Sequence, residues 1–315
     1  MAKNRYKING EIRFRGQFVH FFMPTANEKF FKFARKLLVP LFKGKKNRGY
    51  NLKEIFIGEE KIRTCVYTRD GVASKNLPIV LWLHGGGYGL GIPEFEFSFI
   101  KDLLDASECI VFAPDYTLSY IEPYPKALNE CYEVLLWIKE HAKEFDANPN
   151  CIFVGGDSAG GGLTLALCLY ARDKKKVKIA FQMPIYPMID ERETKTNVGN
   201  TAPMWNSASN DNAWKIYLGD FYRKKDTPYY AAPARCEDYS NMPPAVTYIG
   251  SLDLFLDETQ TFVQKMKNAN IDVSLQIFEG CYHGFDALCP KSKIARSARN
   301  FLAEEFVKAV QKFNK

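Results

Sequence analysis

A serine enclosed by glycines follows an apolar stretch near the middle of the chain. Residues 151–154 are apolar and predict a buried strand, and a helical pattern rich in Ala and Leu begins at Leu163. Between them lies Gly156-Asp157-Ser158-Ala159-Gly160. A serine on so tight a turn has backbone close on both sides, so its neighbours favour glycine. Such a turn predicts a nucleophile raised above the sheet edge, near the N–H groups of the new helix. The alternative is a serine that only caps a helix.

A run of glycines supplies donors for the same chemistry. His84-Gly85-Gly86-Gly87 comes directly after the apolar run 77–83. Glycines at the carboxyl end of a strand allow consecutive N–H groups to point into a cleft. An acyl-transfer enzyme needs such donors for a tetrahedral oxyanion, together with the N–H after the nucleophile, here that of Ala159. The alternative is a plain glycine turn.

His283 is the candidate base among the four histidines, because it lies in a loop after the last predicted strand. A serine nucleophile needs a base within hydrogen-bond reach, and imidazole is matched to neutral pH. That base needs a carboxylate to hold its tautomer, and Asp253 follows the predicted strand 245–249. Asp257 is the alternative, although acids in a first helical turn are favoured for dipole reasons alone. Asp286 is too close along the chain to His283 to be its natural partner.

The elements that must position these residues alternate along the chain. Strand patterns occupy residues 52–57, 61–68, 77–83, 109–113, 151–154, 179–184, 245–249 and 273–278. Helical patterns occupy residues 94–106, 125–145, 159–173, 257–269 and 291–313. The first two strands read as an antiparallel edge pair, and the rest predict a mostly parallel sheet of eight strands with helices on both faces. Such sheets bind ligands at the carboxyl ends of their strands.

Two segments are predicted to form a helical cap over that edge. Residues 190–230 contain no strand pattern but many aromatic residues, and an excursion of this length is usually functional. The predicted organisation is amino-terminal cap helices in 1–50, a lid insertion in 190–230, and a catalytic domain formed by 51–189 and 231–315. Tyr88 and Trp205 are bulky and predict a narrow substrate pocket for short acyl groups. Alternatively, they only pack the cap.

The basic charge is concentrated in the first fifty residues, which hold thirteen Lys/Arg and two acidic residues. Residues 27–38 predict an amphipathic helix, and Pro40 predicts a break or a kink at Val39. Its apolar face is predicted to consist of Phe30, Phe33, Leu37 and Leu41. We favour a helix that covers a pocket on the body. The alternative is a helix that makes weak contact with a membrane surface.

Composition narrows the class of protein. The chain has 315 residues, 46% hydrophobic and 25% charged, which is typical of globular proteins. No apolar run approaches the ~20 residues of a membrane span, and no secretory signal is apparent. The eight cysteines have no metal-ligand spacing, so we predict no metal site and a reducing, cytoplasmic location. The mildly acidic body argues against nucleic-acid binding.

Taken together, the motifs resemble the hormone-sensitive-lipase-like branch of the α/β-hydrolase superfamily, the bacterial carboxylesterase or acetyl esterase group. The matching pieces are His84-Gly85-Gly86-Gly87, Gly156-Asp157-Ser158-Ala159-Gly160-Gly161, Tyr186-Pro187-Met188, the segment from Asp253 to Glu258, and His283-Gly284-Phe285. The resemblance implies an α/β-hydrolase fold and a catalytic triad of Ser158, Asp253 and His283. It also implies an oxyanion hole formed by Gly86, Gly87 and Ala159, with Gly85 as a further candidate donor.

The predicted function is therefore a serine carboxylesterase that hydrolyses short-chain, acetyl-like esters through an acyl-enzyme, without a cofactor. A small-molecule ester is the expected partner, and strand 273–278 is an edge through which a homodimer can form. Amidase or peptidase activity, lipase activity and ligand binding without catalysis are the alternatives. The chain departs from the family pattern at Thr117, where the family often has Arg, which puts the anchoring of that segment in question.

Overall fold

Eight strands form one sheet in the order β1-β2-β4-β3-β5-β6-β7-β8 in the computed structural model, which describes residues 6–22 and 24–315. The strands are β1 (Tyr50–Ile57), β2 (Ile62–Arg69), β3 (Leu77–Leu83), β4 (Ile110–Pro114), β5 (Ala147–Asp157), β6 (Phe181–Ile185), β7 (Ala245–Gly250) and β8 (Val273–Phe278). β2 pairs antiparallel with β1 and β4, and all other pairs are parallel. The predicted sheet of eight mostly parallel strands is confirmed.

Helices connect the strands within the described residues. They are α1 (Arg13–Phe22), α2 (Glu28–Phe42), α3 (Phe97–Ala106), α4 (Lys126–His141), α5 (Ala159–Lys174), α6 (Ser207–Leu218), α7 (Leu256–Asn268), α8 (Phe285–Leu288) and α9 (Lys293–Phe313). Every residue of β3 is buried, which explains why its sequence is apolar throughout rather than alternating. Of the helices described, none is both long enough and apolar enough to cross a membrane.

The two predicted cap segments lie against loops at the carboxyl edge of the sheet. α1 packs on the loop after β8, where the Tyr282 hydroxyl donates to the Ile12 carbonyl at 3.1 Å. Just before α2, the Ala26 N–H donates to Ser209 Oγ of α6 at 2.9 Å. Residues 190–230 contain α6 and no strand. These contacts agree with a cap, whose boundaries at 1–50 and 190–230 remain a prediction.

Of the break or kink predicted at Val39, the break is wrong. α2 continues through Pro40 to Phe42, and the Lys43 N–H bonds to the Val39 carbonyl. A proline inside a helix removes one hydrogen bond, here to the carbonyl of Lys36. Lys36 is exposed, so water can reach that carbonyl. The Phe42 ring packs edge-on against Phe95 at 5.1 Å between centroids, and this contact holds the last turn.

The face of α2 that meets the body is also not the predicted one. Phe31 and Ala34 are its buried residues, and a Cβ on Gly89 would lie 2.2 Å from the Phe31 ring. Three of the residues predicted to cover the body are instead exposed by 67%, 59% and 66%, namely Phe33, Leu37 and Leu41. The helix carries two apolar stripes, and the one with the small Ala34 allows the closer approach.

The segment at Thr117 is anchored without the arginine that the family often has there. The Thr117 N–H and its hydroxyl both donate to the buried carboxylate of Glu130, at 2.6 Å and 2.7 Å. Hydrogen bonds to a charged acceptor are stronger than those between neutral groups, so these two bonds anchor the segment.

Candidate active site

Ser158 occupies the junction between β5 and α5 in a backbone conformation that few residues other than glycine adopt. Its φ is 54° and its ψ is −119°. A Cβ on Gly156 or on Gly160 would lie 2.4 Å or 2.1 Å from the Leu83 carbonyl oxygen, so the end of β3 requires glycine at both positions. The Ser158 side chain makes no capping hydrogen bond to α5, which removes the helix-cap alternative.

The side chains of Ser158, His283 and Asp253 meet in one hydrogen-bonded chain. His283 Nε2 lies 2.8 Å from Ser158 Oγ, and His283 Nδ1 lies 2.8 Å from Asp253 Oδ2. The other carboxylate oxygen of Asp253 accepts the Phe255 N–H at 3.0 Å. All three side chains are buried, so these hydrogen bonds compete little with water. With Nδ1 donating to Asp253, Nε2 is left to accept the serine proton.

The two other aspartates near this loop make different contacts. Asp257 accepts the N–H of Lys195 at 3.3 Å and faces the 190–230 segment. Asp286 is buried and accepts the Tyr248 hydroxyl at 2.7 Å. Of the three candidates, Asp253 is therefore the one that contacts the imidazole.

Two aromatic rings that were not predicted as part of the site hold the plane of the His283 ring. Tyr186 and Phe255 both present edge-to-face contacts, with centroids 4.9 Å and 5.1 Å from the imidazole. Tyr186 belongs to a motif quoted for the family resemblance, which is the one signal that could have found it. Phe255 lies two residues after Asp253, and nothing in the sequence around it distinguishes it from a core residue.

The glycine run after β3 turns tightly and leaves N–H groups free. The Gly86 carbonyl accepts the N–H groups of Gly89 and Leu90, and a Cβ on Gly86 would lie 2.0 Å from the Leu90 oxygen. Gly86 and Gly87 have φ values of 110° and 59°. Throughout residues 6–22 and 24–315, no protein acceptor takes the N–H of Gly86, Gly87 or Ala159. These groups remain available to a ligand oxygen.

Gly85 differs from its neighbours because two acidic side chains lie close to it. The buried carboxyl of Glu96, which accepts the Trp82 indole N–H at 3.2 Å, lies near the Gly85 backbone. On the other side of Gly85, an added Cβ would lie 2.7 Å from Asp157 Oδ2. The nearby acids favour Gly86 and Gly87 as oxyanion donors, and Gly85 stays a predicted further donor.

Glu96 and Asp157 form a buried pair of acids behind this loop. Burial raises the pKa of both carboxyl groups, and the proximity of the other acid adds to the increase for Asp157. Two carboxyl groups so placed are most stable when they share a proton. Glu96 was not predicted as part of the site, because a glutamate inside a predicted helix gives no sign of burial.

His84 is not a second base. It is buried, its ring stacks on Tyr116 at 3.9 Å between centroids, and Nδ1 lies 2.9 Å from the Gly85 carbonyl. Burial lowers the pKa of His84 to about 4, so the ring is neutral at physiological pH.

The two residues predicted to narrow the pocket have different surroundings. The Trp205 ring lies directly over Gly87, where an added Cβ would be 2.4 Å from the indole. Tyr88 is buried, stacks on Tyr217 at 3.8 Å between centroids and donates to the Met188 carbonyl at 3.3 Å. These contacts favour Trp205 as the residue that limits the space above the glycines, and they favour cap packing for Tyr88.

One cluster has the composition of a metal site. Oxygens of Glu54 and Glu94 and the Cys65 thiol lie within 4.8 Å of one another. However, the Arg63 guanidinium already forms ion pairs with Glu54 and Glu94, and also with Asp115 at 3.3 Å. A cation would have to share these carboxylates with a buried positive charge, so the donors fit an ion poorly.

Glu258→Gln is expected to weaken the pH dependence of stability. Glu258 accepts the N–H groups of Ile189 and Asp190 at 2.8 Å and 3.2 Å, and burial raises its pKa well above its usual range. A raised pKa in the folded state stabilises the fold below the unfolded pKa, and this contribution is lost as pH rises toward the folded pKa. Glutamine keeps an acceptor oxygen without titrating. The fall in Tm between pH 5 and pH 8, measured by calorimetry, should therefore be smaller in the variant.

The exposed Glu304 provides the matched control. Glu304→Gln should leave the pH dependence of Tm as in the wild type. An equal fall in Tm for the wild type and Glu258→Gln would contradict the assigned protonation.

The chain is similar to known proteins over most of its length. A family model described as alpha/beta hydrolase fold matches residues 80–287. The AB hydrolase superfamily protein C1039.03 of Schizosaccharomyces pombe is 29% identical over 244 residues, covering 73% of this chain and 70% of the relative. Carboxylesterase NlhH of Mycobacterium tuberculosis is 29% identical over 218 residues, covering 68% of each. The solved structure of a bacterial heroin esterase superposes with a TM-score of 0.87 at 28% identity, over 96% of this chain and 98% of that one.

Proposed function

We propose that the chain, which belongs to the α/β-hydrolase fold family, is a serine carboxylesterase of the hormone-sensitive-lipase-like branch. The observation that carries the proposal is the hydrogen-bonded chain from Asp253 through His283 to Ser158, beside three unused N–H groups. The similarity to carboxylesterase NlhH supports the same reaction class.

In the proposed reaction, Ser158 Oγ attacks the ester carbonyl carbon while its proton passes to His283 Nε2. Asp253 stabilises the imidazolium that forms and keeps its orientation. The N–H groups of Gly86, Gly87 and Ala159 hold the oxyanion, and each such donor typically lowers the barrier by ~3–4 kcal/mol. The bond to the alcohol oxygen then breaks, and the alcohol leaves with the proton from His283.

Water completes the cycle by the same route. His283 takes a proton from water as the water oxygen attacks the acyl group on Ser158. The second tetrahedral species collapses, the bond to Oγ breaks, and Oγ regains its proton from His283. The products are an alcohol and a carboxylic acid, and no step needs a metal or a cofactor.

A fluorophosphonate probe tests the nucleophile directly. We expect the probe to modify Ser158 stoichiometrically, as located by mass spectrometry of the modified peptide, because only a serine activated by a base attacks it at a useful rate. Absence of labelling, or labelling at another serine, would contradict the proposal and would favour ligand binding without catalysis. An anilide cleaved faster than its matching ester would favour an amidase.

Trp205→Ala is expected to shift acyl preference toward longer chains. The indole covers Gly87, so it limits the room for an acyl group next to the proposed oxyanion hole. Each methylene buried in apolar surroundings contributes about 0.8 kcal/mol. Room for two further methylenes of the acyl chain therefore raises kcat/KM for a long-chain ester roughly tenfold. The ratio of kcat/KM for p-nitrophenyl decanoate to that for the acetate should rise by about that factor.

Trp137→Ala is the matched control, because Trp137 lies on α4 and stacks on His141, away from the glycine loop. Its acyl preference should equal that of the wild type. If Trp205→Ala also leaves the ratio unchanged, the preference for short acyl groups has another origin.

The location and assembly of the protein are also proposals. We propose a cytoplasmic location, with which eight unpaired and buried cysteines are compatible. β8 is an edge strand of the sheet, so its outer backbone groups can pair with a second copy. Sedimentation equilibrium tests this homodimer.

A further inference from the structure

The outer faces of α1 and α2 expose seven large apolar side chains. On α1, four phenylalanines follow the i, i+4, i+7, i+8 spacing of one helical face and are exposed by 57–82%: Phe14, Phe18, Phe21 and Phe22. On α2, Phe33, Leu37 and Leu41 follow the i, i+4, i+8 spacing. We call these seven residues the outer apolar face. So large a set of exposed apolar groups marks an interaction site.

The inner sides of the two helices lie on the loops of the proposed active site. Gly16 of α1 meets Tyr282, next to His283, where an added Cβ would be 2.5 Å from the tyrosine ring. Phe31 of α2 meets Gly89 beside the glycine run. These loops follow β8 and β3, which run in the same direction, so both helices lie at one edge of the sheet. Their exposed faces therefore point away from the body at that edge.

Positive charge surrounds the outer apolar face. Between residues 6 and 50, the described chain holds eleven Lys/Arg and only Glu11 and Glu28 as acids. Glu28 pairs with Lys32, and Glu11 accepts the N–H groups at the start of α9. Lys29 and Lys36 are exposed on α2, and further exposed basic residues follow the helix at Lys43, Lys45, Lys46 and Arg48.

We propose that the outer apolar face docks on an anionic lipid bilayer, with α1 and α2 lying in the membrane interface. Aromatic and aliphatic side chains enter the boundary between headgroups and acyl chains, while flanking lysines contact anionic headgroups. The charge decides between this occupant and a second copy of the chain. Self-association would bring two strongly positive faces together, whereas an anionic surface is complementary to them.

Flotation of the purified full chain with lipid vesicles tests the proposal. We expect binding to vesicles of phosphatidylcholine with 30% phosphatidylglycerol, much weaker binding to pure phosphatidylcholine, and a decrease as salt is raised from about 50 mM to about 500 mM. Phe14→Gln/Phe18→Gln/Phe21→Gln should lower the partition coefficient at least about 100-fold, because apolar burial supplies much of the binding. Glutamine is a good helix former, so α1 is retained.

A pair of charge variants distinguishes local contact from net charge. Lys29→Gln/Lys36→Gln should lower the partition coefficient by about 30-fold, since each lysine near the surface contributes about fivefold. Lys176→Gln/Lys178→Gln removes the same charge from two exposed lysines after α5, at the opposite edge of the sheet. That control should bind vesicles like the wild type. Circular dichroism and the thermal midpoint confirm that each variant is folded.

Two results would overturn the proposal. The wild type fails to bind anionic vesicles at low salt, or the triple phenylalanine variant binds as well as the wild type. If the wild type binds no vesicles but forms a dimer that the triple variant abolishes, the outer apolar face is an interface between copies.

Discussion

Ser158→Ala is expected to reduce kcat for p-nitrophenyl acetate by about 10⁵-fold or more. Without Oγ the acyl-enzyme cannot form, and the remaining activity comes from the N–H donors acting on direct attack by water. The same variant should lose fluorophosphonate labelling. Because the Ser158 side chain makes no capping hydrogen bond, its removal should change the thermal midpoint little. The measurement is a progress curve at high enzyme concentration, with Tm determined on the same samples.

Ser292→Ala is the matched control for this result. Ser292 does cap a helix, because its Oγ accepts the Ala295 N–H at 3.2 Å at the start of α9. Its loss should cost about 1 kcal/mol of stability while kcat stays within twofold of wild type. Near-normal turnover by Ser158→Ala, after contamination has been excluded by titration of active sites, would remove Ser158 as the nucleophile.

Asp253→Asn is expected to lower kcat by about 10⁴-fold. In the wild type, Asp253 Oδ2 accepts from His283 Nδ1, which leaves Nε2 free to accept the Ser158 proton. An asparagine amide donates to Nδ1 instead, so the proton moves to Nε2 and the imidazole can no longer act as a base. The loss should be partly relieved at high pH, where hydroxide removes the serine proton directly. A pH profile of kcat/KM for both proteins measures this.

Asp257→Asn supplies the comparison, because Asp257 faces the Lys195 N–H rather than the imidazole. Its kcat should stay within about threefold of wild type, since it contacts no reacting group. The opposite ranking of the two variants would make Asp257 the acid partner of His283.

Much of this site was predictable because each of its residues lies in a short motif that is visible in the sequence. Gly156 and Gly160 both lie close to the Leu83 carbonyl, where only glycine fits. The sequence shows this requirement as two glycines on either side of the serine. Likewise, the apolar run of β3 records burial on both faces. The fold was predictable because strand runs alternate with helical patterns along the chain. Each pattern indicates which side of its strand or helix is buried.

The packing of α2 was not predictable in the same way. Its sequence contains two apolar stripes, and periodicity alone favoured the one with Phe33 and Leu37. The body accepts the other, because Phe31 fits over Gly89 and Ala34 allows close contact. The choice depends on the shape of a surface made by residues distant in the chain.

By itself, the sequence determined the residue types of the proposed site, the turn that raises Ser158, and the order of strands and helices that can hold it. Only the tertiary structure decided that Asp253 rather than Asp257 contacts His283, that Glu96 lies buried behind the glycine run, and which stripe of α2 remains outside. The physical reason is that propensity and periodicity act over a few neighbouring residues. Hydrogen-bond partners and packing contacts depend on distances between segments that are brought together only by folding.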